Sequence, residues 1–443
     1  MRKSSAALDL ELGLEYYASS AEGIGGVIRR SYEDFIVVEI SESGPVYPAG
    51  FDYGEGEYTW FVLKKWKIDS ITATKMIAKK LRVSHKLFSI AGLKDAKAVT
   101  YQLVCVEGVS PDEVLAVKSK YFEVVTAFRR PFRLTPGMLY GNQFTIVVRE
   151  VKEDNVKDRI DRITGELAEF GGAPNYYGYQ RFGTIRPNTH VVGRYLVKRM
   201  FKEAFEEEVF RVYPNESPWA KEARIYARNT DDYAKAIEKF PPNLHHEREL
   251  LRYLSRHPGD YLGAFRSLPL PVRRLFINAY QAYLFNKSLS ARLERGLGIA
   301  EAYPGDLVAL YDKSGYRLRR RGVIRTTDTN KEKVNELIRK GLAHLVLNVF
   351  GYGTQLARGE QGEIERKILR EEGISLSNFK LKGLLGAESR GDLRRAALVP
   401  EDFEYLVNED RSVLFKFKLL KGMYATVLLR EYMKPRDILG AGF

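Results

Sequence analysis

The sequence predicts an α+β or mixed α/β fold in which a sheet domain is interrupted by an inserted region. Three features predict this. Strand-like and helix-like patterns alternate up to about residue 175. After Gly183 the texture shifts to long helical patterns and a polar, Pro-dotted stretch. Near the C-terminus, residues 413–419 return to an alternating pattern, with Phe415 and Phe417 on one face and Lys416 and Lys418 on the other. That strand is expected to rejoin the first sheet.

The elements follow in order. The first 25 or so residues are mixed and are expected to be partly loose at the end. Residues 35–40 form an apolar strand pattern, and a turn at 54–57 leads to a second strand at 58–63. Asp69 or Ser70 caps a helix running to Leu81, with Ile71, Ile77, Ala78 and Leu81 on one side. Ser110-Pro111-Asp112-Glu113 is a capping box with Pro at the first helical position. Residues 144–148 make a strand. Val156, Ile160, Ile163, Leu167 and Phe170 step by four and three, an amphipathic helix closed by Gly171-Gly172. Residues 188–210 and 273–295 predict long helices, and 211–271 is weakly periodic. A hairpin turns at Asp312-Lys313-Ser314-Gly315. The expected domain limits are 1–183 and 389–443 for the sheet domain and 184–388 for the insertion.

Lys plus Arg number 71 against 57 for Asp plus Glu, so the chain carries a net charge of +14. An excess of that size favours polyanions, nucleic acid first and an anionic membrane second. Tyr (27) and Phe (23) are abundant enough to spare some rings for stacking on unpaired bases. The single cysteine, Cys105, excludes a disulfide framework or a multi-cysteine zinc site within the chain, and its strand pattern predicts a buried small hydrophobe. Apolar runs such as Leu345-Val346-Leu347 are too short to span a bilayer, and no N-terminal signal pattern appears. A reducing cytoplasm is the expected location.

Two apparent motifs fail on chemistry. His245-His246 are adjacent, so their side chains do not converge on one ion, and a solvated loop is expected. Gly351-Tyr352-Gly353 lacks the third glycine of a dinucleotide loop, because residue 356 is Leu. Arg317, Arg319, Arg320 and Arg321 cluster on the second arm of the hairpin and suit RNA phosphate.

The most informative stretch is 91–102, a polar loop with one carboxylate, Asp95, between apolar segments. Lys94 and Lys97 flank Asp95 and favour its ionised form. A lone loop Asp is ordinarily a turn former. The whole string Gly92-Leu93-Lys94-Asp95 followed by Ala98-Val99-Thr100-Tyr101-Gln102 resembles the active-site loop of the TruD family of tRNA pseudouridine synthases. Further strings resemble that family in the same order. They are Arg29 to Val37 with its Glu33-Asp34-Phe35, Gly141-Asn142-Gln143-Phe144, Asn175 to Gly183 around Arg181, Ala279 to Asn286, and Lys421 to Glu431. The length is that of the longer, archaeal-like members.

The resemblance implies a pseudouridine-synthase catalytic domain with a mixed, mainly antiparallel sheet and an inserted α/β TRUD domain, with RNA held in a basic cleft. It implies conversion of a uridine to pseudouridine, the family's usual target being position 13 in the D arm of tRNA. Asp95 is then the catalytic residue. Arg29 orients it, Phe144 stacks on the extruded uracil, Asn142 shapes the pocket wall, and Arg181 contacts the substrate.

The chemistry is self-consistent. The N1–C1′ bond breaks, the base rotates, and C5 joins C1′. No atoms are gained and nothing is oxidised, so no cofactor and no metal is expected. A carboxylate can attack the nucleotide covalently or remove a sugar proton, and both roles need an ionised Asp facing a flipped base. The expected partner is tRNA, with no membrane and no obligate protein partner. A catalytically silent RNA-binding protein on the same fold is the alternative, and turnover separates the two. An RNA methyltransferase is disfavoured by the missing glycine loop.

Overall fold

A computed structural model gives the fold. It describes Met1–Phe443 except residues 42, 49–53, 95, 136–137 and 312–317, and only the backbone at 311 and 318–321. Asp95, Arg317 and the expected turn at 312–315 therefore lie outside the described residues. Packing divides the chain into two compact units, Ser19–Glu169 with Leu398–Phe443, and Met1–Ala18 with Phe170–Ala397.

The first unit is built on one large sheet. Its main strands are β1 (Phe35–Ser41), β2 (Tyr58–Lys65), β3 (Phe88–Ile90), β4 (Val99–Glu107), β5 (Phe122–Arg130), β6 (Gly141–Val148), β7 (Glu401–Val407) and β8 (Val413–Leu420). They lie in the order β7-β8-β6-β1-β4-β2-β5, with β3 alongside β4. The sheet is mixed and mainly antiparallel. Among the described strands only β1 and β4 run parallel, pairing Ile36 with Val99, Val37 with Thr100 and Val38 with Tyr101. The C-terminal strand does rejoin it, with Phe417 opposite Phe144. Phe415 and Phe417 are fully buried, while Lys416 and Lys418 pair with Glu404 and Asp402 on the other face.

Local signals explain the elements. Asp69 accepts the backbone N–H groups of Ile71 and Thr72 at 2.9 Å each, and the helix α1 (Ser70–Leu81) follows. Its Ala73, Ile77 and Ala78 pack on Phe61, Leu63, Val104 and Val106 of the sheet. The capping box at Ser110 forms as expected. The helix α2 (Val156–Phe170) buries Val156, Ile160, Ile163 and Leu167 and ends at Gly171. Cys105 is buried in β4.

The second unit gathers around the helix Leu270–Glu294. The expected helix at 188–210 is two, Thr189–Val197 and Phe201–Val209, because Arg199 turns into the left-handed region at φ +61°. The weakly periodic stretch holds four short helices, Pro218–Arg228, Tyr233–Lys239, His245–Arg256 and Tyr261–Ser267. His245 and His246 thus open a helix rather than a loop. Four antiparallel strands lie in the order Leu318–Arg325, Leu307–Tyr311, Ala343–Val349, Asp392–Arg395. At Gly351 a Cβ would meet the Gly391 nitrogen at 2.0 Å, so this glycine serves the close packing of two loops.

The packing limits differ from those expected from sequence texture, 183/184 and 388/389. Side chains of the Leu270–Glu294 helix take both Met1–Ala18 and residues 170–183. Asn286 donates to the carbonyls of Leu12 and Tyr177 and accepts from the Tyr177 N–H. Ser290 donates to the Gly13 carbonyl and accepts from the Glu15 N–H. The N-terminal segment is therefore anchored, not loose.

Candidate active site

Lys94, the residue before Asp95, is held through its backbone and through its side chain. The Lys94 backbone N–H donates to Ser70 Oγ at 2.9 Å, and Ser70 Oγ donates to Gln102 Oε1 at 2.7 Å. Ser70 is the first residue of α1, and Gln102 lies on β4. The Lys94 side chain turns inward and places Nζ 2.6 Å from Glu39 Oε1, with side-chain exposures of 8% and 1%. The other Glu39 oxygen accepts the Leu103 N–H at 2.8 Å. Lys94 is thus ion-paired with Glu39.

Register brings further residues alongside. Glu39 is paired across the sheet with Asn142, and Val37 with Phe144. Asn142 Oδ1 is buried and finds no hydrogen-bond partner among the described residues. Thr100 Oγ1 and Gln102 Nε2, both on β4, are in the same state. Such atoms are costly to leave unmet in a finished core; Thr100 and Gln102 are fully buried, so the part-exposed Asn142 is the candidate for a substrate contact.

Phe144 is 7% exposed. Its ring meets Phe417 at 5.5 Å and the edge of Phe35 at 6.3 Å. The Arg29 guanidinium lies over Phe35 at 4.2 Å and donates from Nη1 to the Gly442 carbonyl at 2.9 Å. Arg29 is therefore half-buried and apart from Arg30, which pairs with Glu150. Asp34, immediately before β1, ties that strand to the end of β6 through Arg149. Burial works against its charge, but bonds from Arg149 and the Ser31 N–H outweigh that and hold its carboxyl below the usual range.

Arg181 belongs to the other unit. There the Tyr177 ring carries two guanidinium groups, Arg181 at 5.6 Å and Arg394 at 4.1 Å. Arg394 also donates to Asn175 Oδ1 and the Tyr176 carbonyl. The neighbouring Tyr176, Tyr179 and Phe182 are buried and serve the core. Among the described residues no group of three His, Cys, Asp or Glu is arranged to hold a metal ion, and no helix is long and apolar enough to cross a membrane.

Against known proteins, the family model described as tRNA pseudouridine synthase D matches residues 11–432. The chain belongs to the tRNA pseudouridine synthase D family. A relative named probable tRNA pseudouridine synthase D from Thermococcus onnurineus is 40% identical over 420 residues, covering 94% of this chain and 97% of the relative. One of the same name from Methanococcoides burtonii is 34% identical over 441 residues, covering 97% and 98%. A crystal structure described as "the Putative tRNA pseudouridine synthase D (TruD) from Methanosarcina mazei" superimposes with a TM-score of 0.79 at 32% identity, covering 96% of this chain and 97% of that one. As a member of this synthase family the chain is an isomerase.

Several residues that hold the 91–102 loop, and one beside Tyr177, escaped sequence reasoning. Glu39 had a signal, a charge inside an apolar strand at the same parity as Phe35 and Val37. Ser70 was legible only as a helix-cap candidate and Gln102 only as part of the family string, while Arg394 had no signal, because their contacts depend on which strands and helices come together.

Proposed function

We propose that this synthase isomerises the uridine at position 13 of the tRNA D arm, with Asp95 as the reacting carboxylate. The observation that carries the reading is the anchored backbone of Lys94, immediately before Asp95, beside a strand pair that presents Asn142 with an unmet polar oxygen. In this reading Asp95 attacks the nucleotide or takes a sugar proton while the base turns over. Asn142 offers its free oxygen to the flipped uracil, which presents an N–H donor. Phe144 lies beneath the base, Arg29 supplies positive charge near Asp95, and Arg181 with Tyr177 contacts RNA. The atoms balance with no redox partner, so the reaction needs no cofactor.

The test is release of tritium from C5-labelled uridine in unmodified tRNA, followed by mapping of the product. Asp95→Asn keeps the size and removes the nucleophile. It is expected to abolish release while tRNA affinity stays within about threefold, since binding rests on phosphate contacts elsewhere. Near-normal turnover by the folded variant would move the active site. Product at another uridine would overturn the position.

A further inference from the structure

β1 and β4 pair in parallel only from Ile36↔Val99 to Val38↔Tyr101. Beyond that point the Leu103 N–H is taken by a side chain, Glu39 Oε2, at 2.8 Å. The second oxygen of the same carboxylate holds Lys94 Nζ at 2.6 Å. Glu39 thus bridges a strand and a loop with one buried group. Lys94 is fixed twice, by its side chain on Glu39 and by its backbone N–H on Ser70. Lys94 is covalently joined to residue 95, so whatever fixes it acts one residue from the proposed reacting carboxylate. A Cβ on Gly92 would touch Leu139 at 3.3 Å and Lys94 Nζ at 3.4 Å, so the loop backbone passes directly beside the pair.

A buried ion pair recovers little net stability relative to an apolar pair of the same shape. What it supplies that an apolar pair does not is direction, because a carboxylate and an ammonium meet at one place and distance. We propose that Glu39 is a positioning residue for uridine isomerisation, its ion pair with Lys94 setting the place of residue 95 for the chemical step. The proposal rests on the reading of Asp95 as the reacting carboxylate.

The pair predicts a split between chemistry and binding. Misplacing a reacting group by about 1 Å costs up to roughly 100-fold, whereas the phosphate contacts that grip tRNA are untouched. Glu39→Gln alone strands the Lys94 charge in the interior and is a poor test. The decisive variant is the double Glu39→Gln with Lys94→Met, which removes both charges and keeps apolar bulk. It is to be compared with wild type and Asp95→Asn in single-turnover pseudouridine formation, tRNA affinity and thermal midpoint. The expected result is a folded protein with tRNA affinity within about threefold and a rate at saturating tRNA lowered by roughly 10- to 100-fold. A folded double variant with the wild-type rate overturns the proposal. If the double variant does not fold at assay temperature, Glu39→Asp decides, because it keeps the charge and draws the carboxylate back by one methylene. A slowed rate at an unchanged midpoint supports positioning, and an unchanged rate overturns it. Lys94→Arg, which keeps the cation, is expected to lose less than Lys94→Met. A different failure identifies the underlying reading: if Asp95→Asn turns over like wild type, Asp95 is not the reacting group and the positioning role falls with it.

Discussion

Gly141 lies so close to Leu419 that a Cβ at residue 141 would sit 2.2 Å from the Leu419 carbonyl oxygen. The glycine opens β6, one residue before Asn142, and the contact is to backbone of the neighbouring strand β8. Gly141→Ala must push the two strands apart at this point. The expected cost is about 1–3 kcal/mol of stability, read as a lower urea midpoint with an unchanged m-value. Because the strand carries Asn142 and Phe144, turnover is expected to fall with it. An unchanged midpoint would mean that β8 yields freely here.

Much of this architecture was legible in the sequence, and the exceptions have physical causes. The strand beginning at Phe35, the Asp69 cap and the α2 stripe follow from period and capping alone. The break at Arg199 has no Gly or Pro to mark it. It is set by burial of Val197 on one side and Phe205 on the other, which overrides the backbone preference. The helices at Tyr233–Lys239 and Tyr261–Ser267 are too short for a clear period, and Pro218–Arg228 buries Ala220, Ala223, Arg224 and Ala227, a stripe with little apolar signal, although Ser217, Asp232 and Asp260 cap all three. Glu39 and Lys94 are 55 residues apart, and their meeting depends on strand order. The family strings located the Asn142 and Phe144 strand. They carried no information on what satisfies Lys94.

RNA binding should be strongly salt-dependent. A chain with a net charge of +14 that makes about 4–8 phosphate contacts should lose affinity with a log–log slope of order −3 to −7. Removing Arg319 and Arg321 together is expected to make the slope shallower by about 1–2. Filter binding of unmodified tRNA across a salt series measures this. An unchanged slope would exclude the hairpin arm from the RNA path.

His190 should make stability fall at acid pH. It is buried, stacked on Tyr283 at 5.0 Å and edge-on to Phe182 at 5.3 Å. Burial first, and then Arg194, hold its pKa at about 4, against an ordinary 6.5. Between those values the unfolded chain binds the proton and the folded chain does not. Stability from this group is therefore full above pH 6.5 and is lost as pH falls toward 4, by about 3 kcal/mol. Glu365 slopes the opposite way, since burial raises it to about 7. The informative quantity is the difference between wild type and His190→Phe, which keeps a ring and removes the titration. The variant should gain on wild type as pH drops from 7 to 4.5 in thermal melts. Parallel pH dependences would show that folding leaves the titration of His190 unchanged.

Phe144 separates packing from catalysis. Its 7% exposure and its contacts with Phe35 and Phe417 are those of a core ring. A ring beneath a flipped base adds a stacking contribution of about 1–3 kcal/mol, felt once the base has left its stack and therefore mainly in the chemical step. Phe144→Ala removes both contributions at once and is expected to lower stability by about 3–5 kcal/mol, which confounds its rate. Phe144→Leu separates them. Leucine fills much of the same space, so stability should fall by only about 1–1.5 kcal/mol, while the aromatic face is gone. If Phe144 supports the uracil, Phe144→Leu should turn over roughly 5- to 150-fold more slowly at saturating tRNA, with affinity changed far less. A Phe144→Leu protein that folds and keeps the wild-type rate would assign the ring wholly to the core. The base would then be sought against another face near Asn142, whose oxygen is buried and unmet in the described structure.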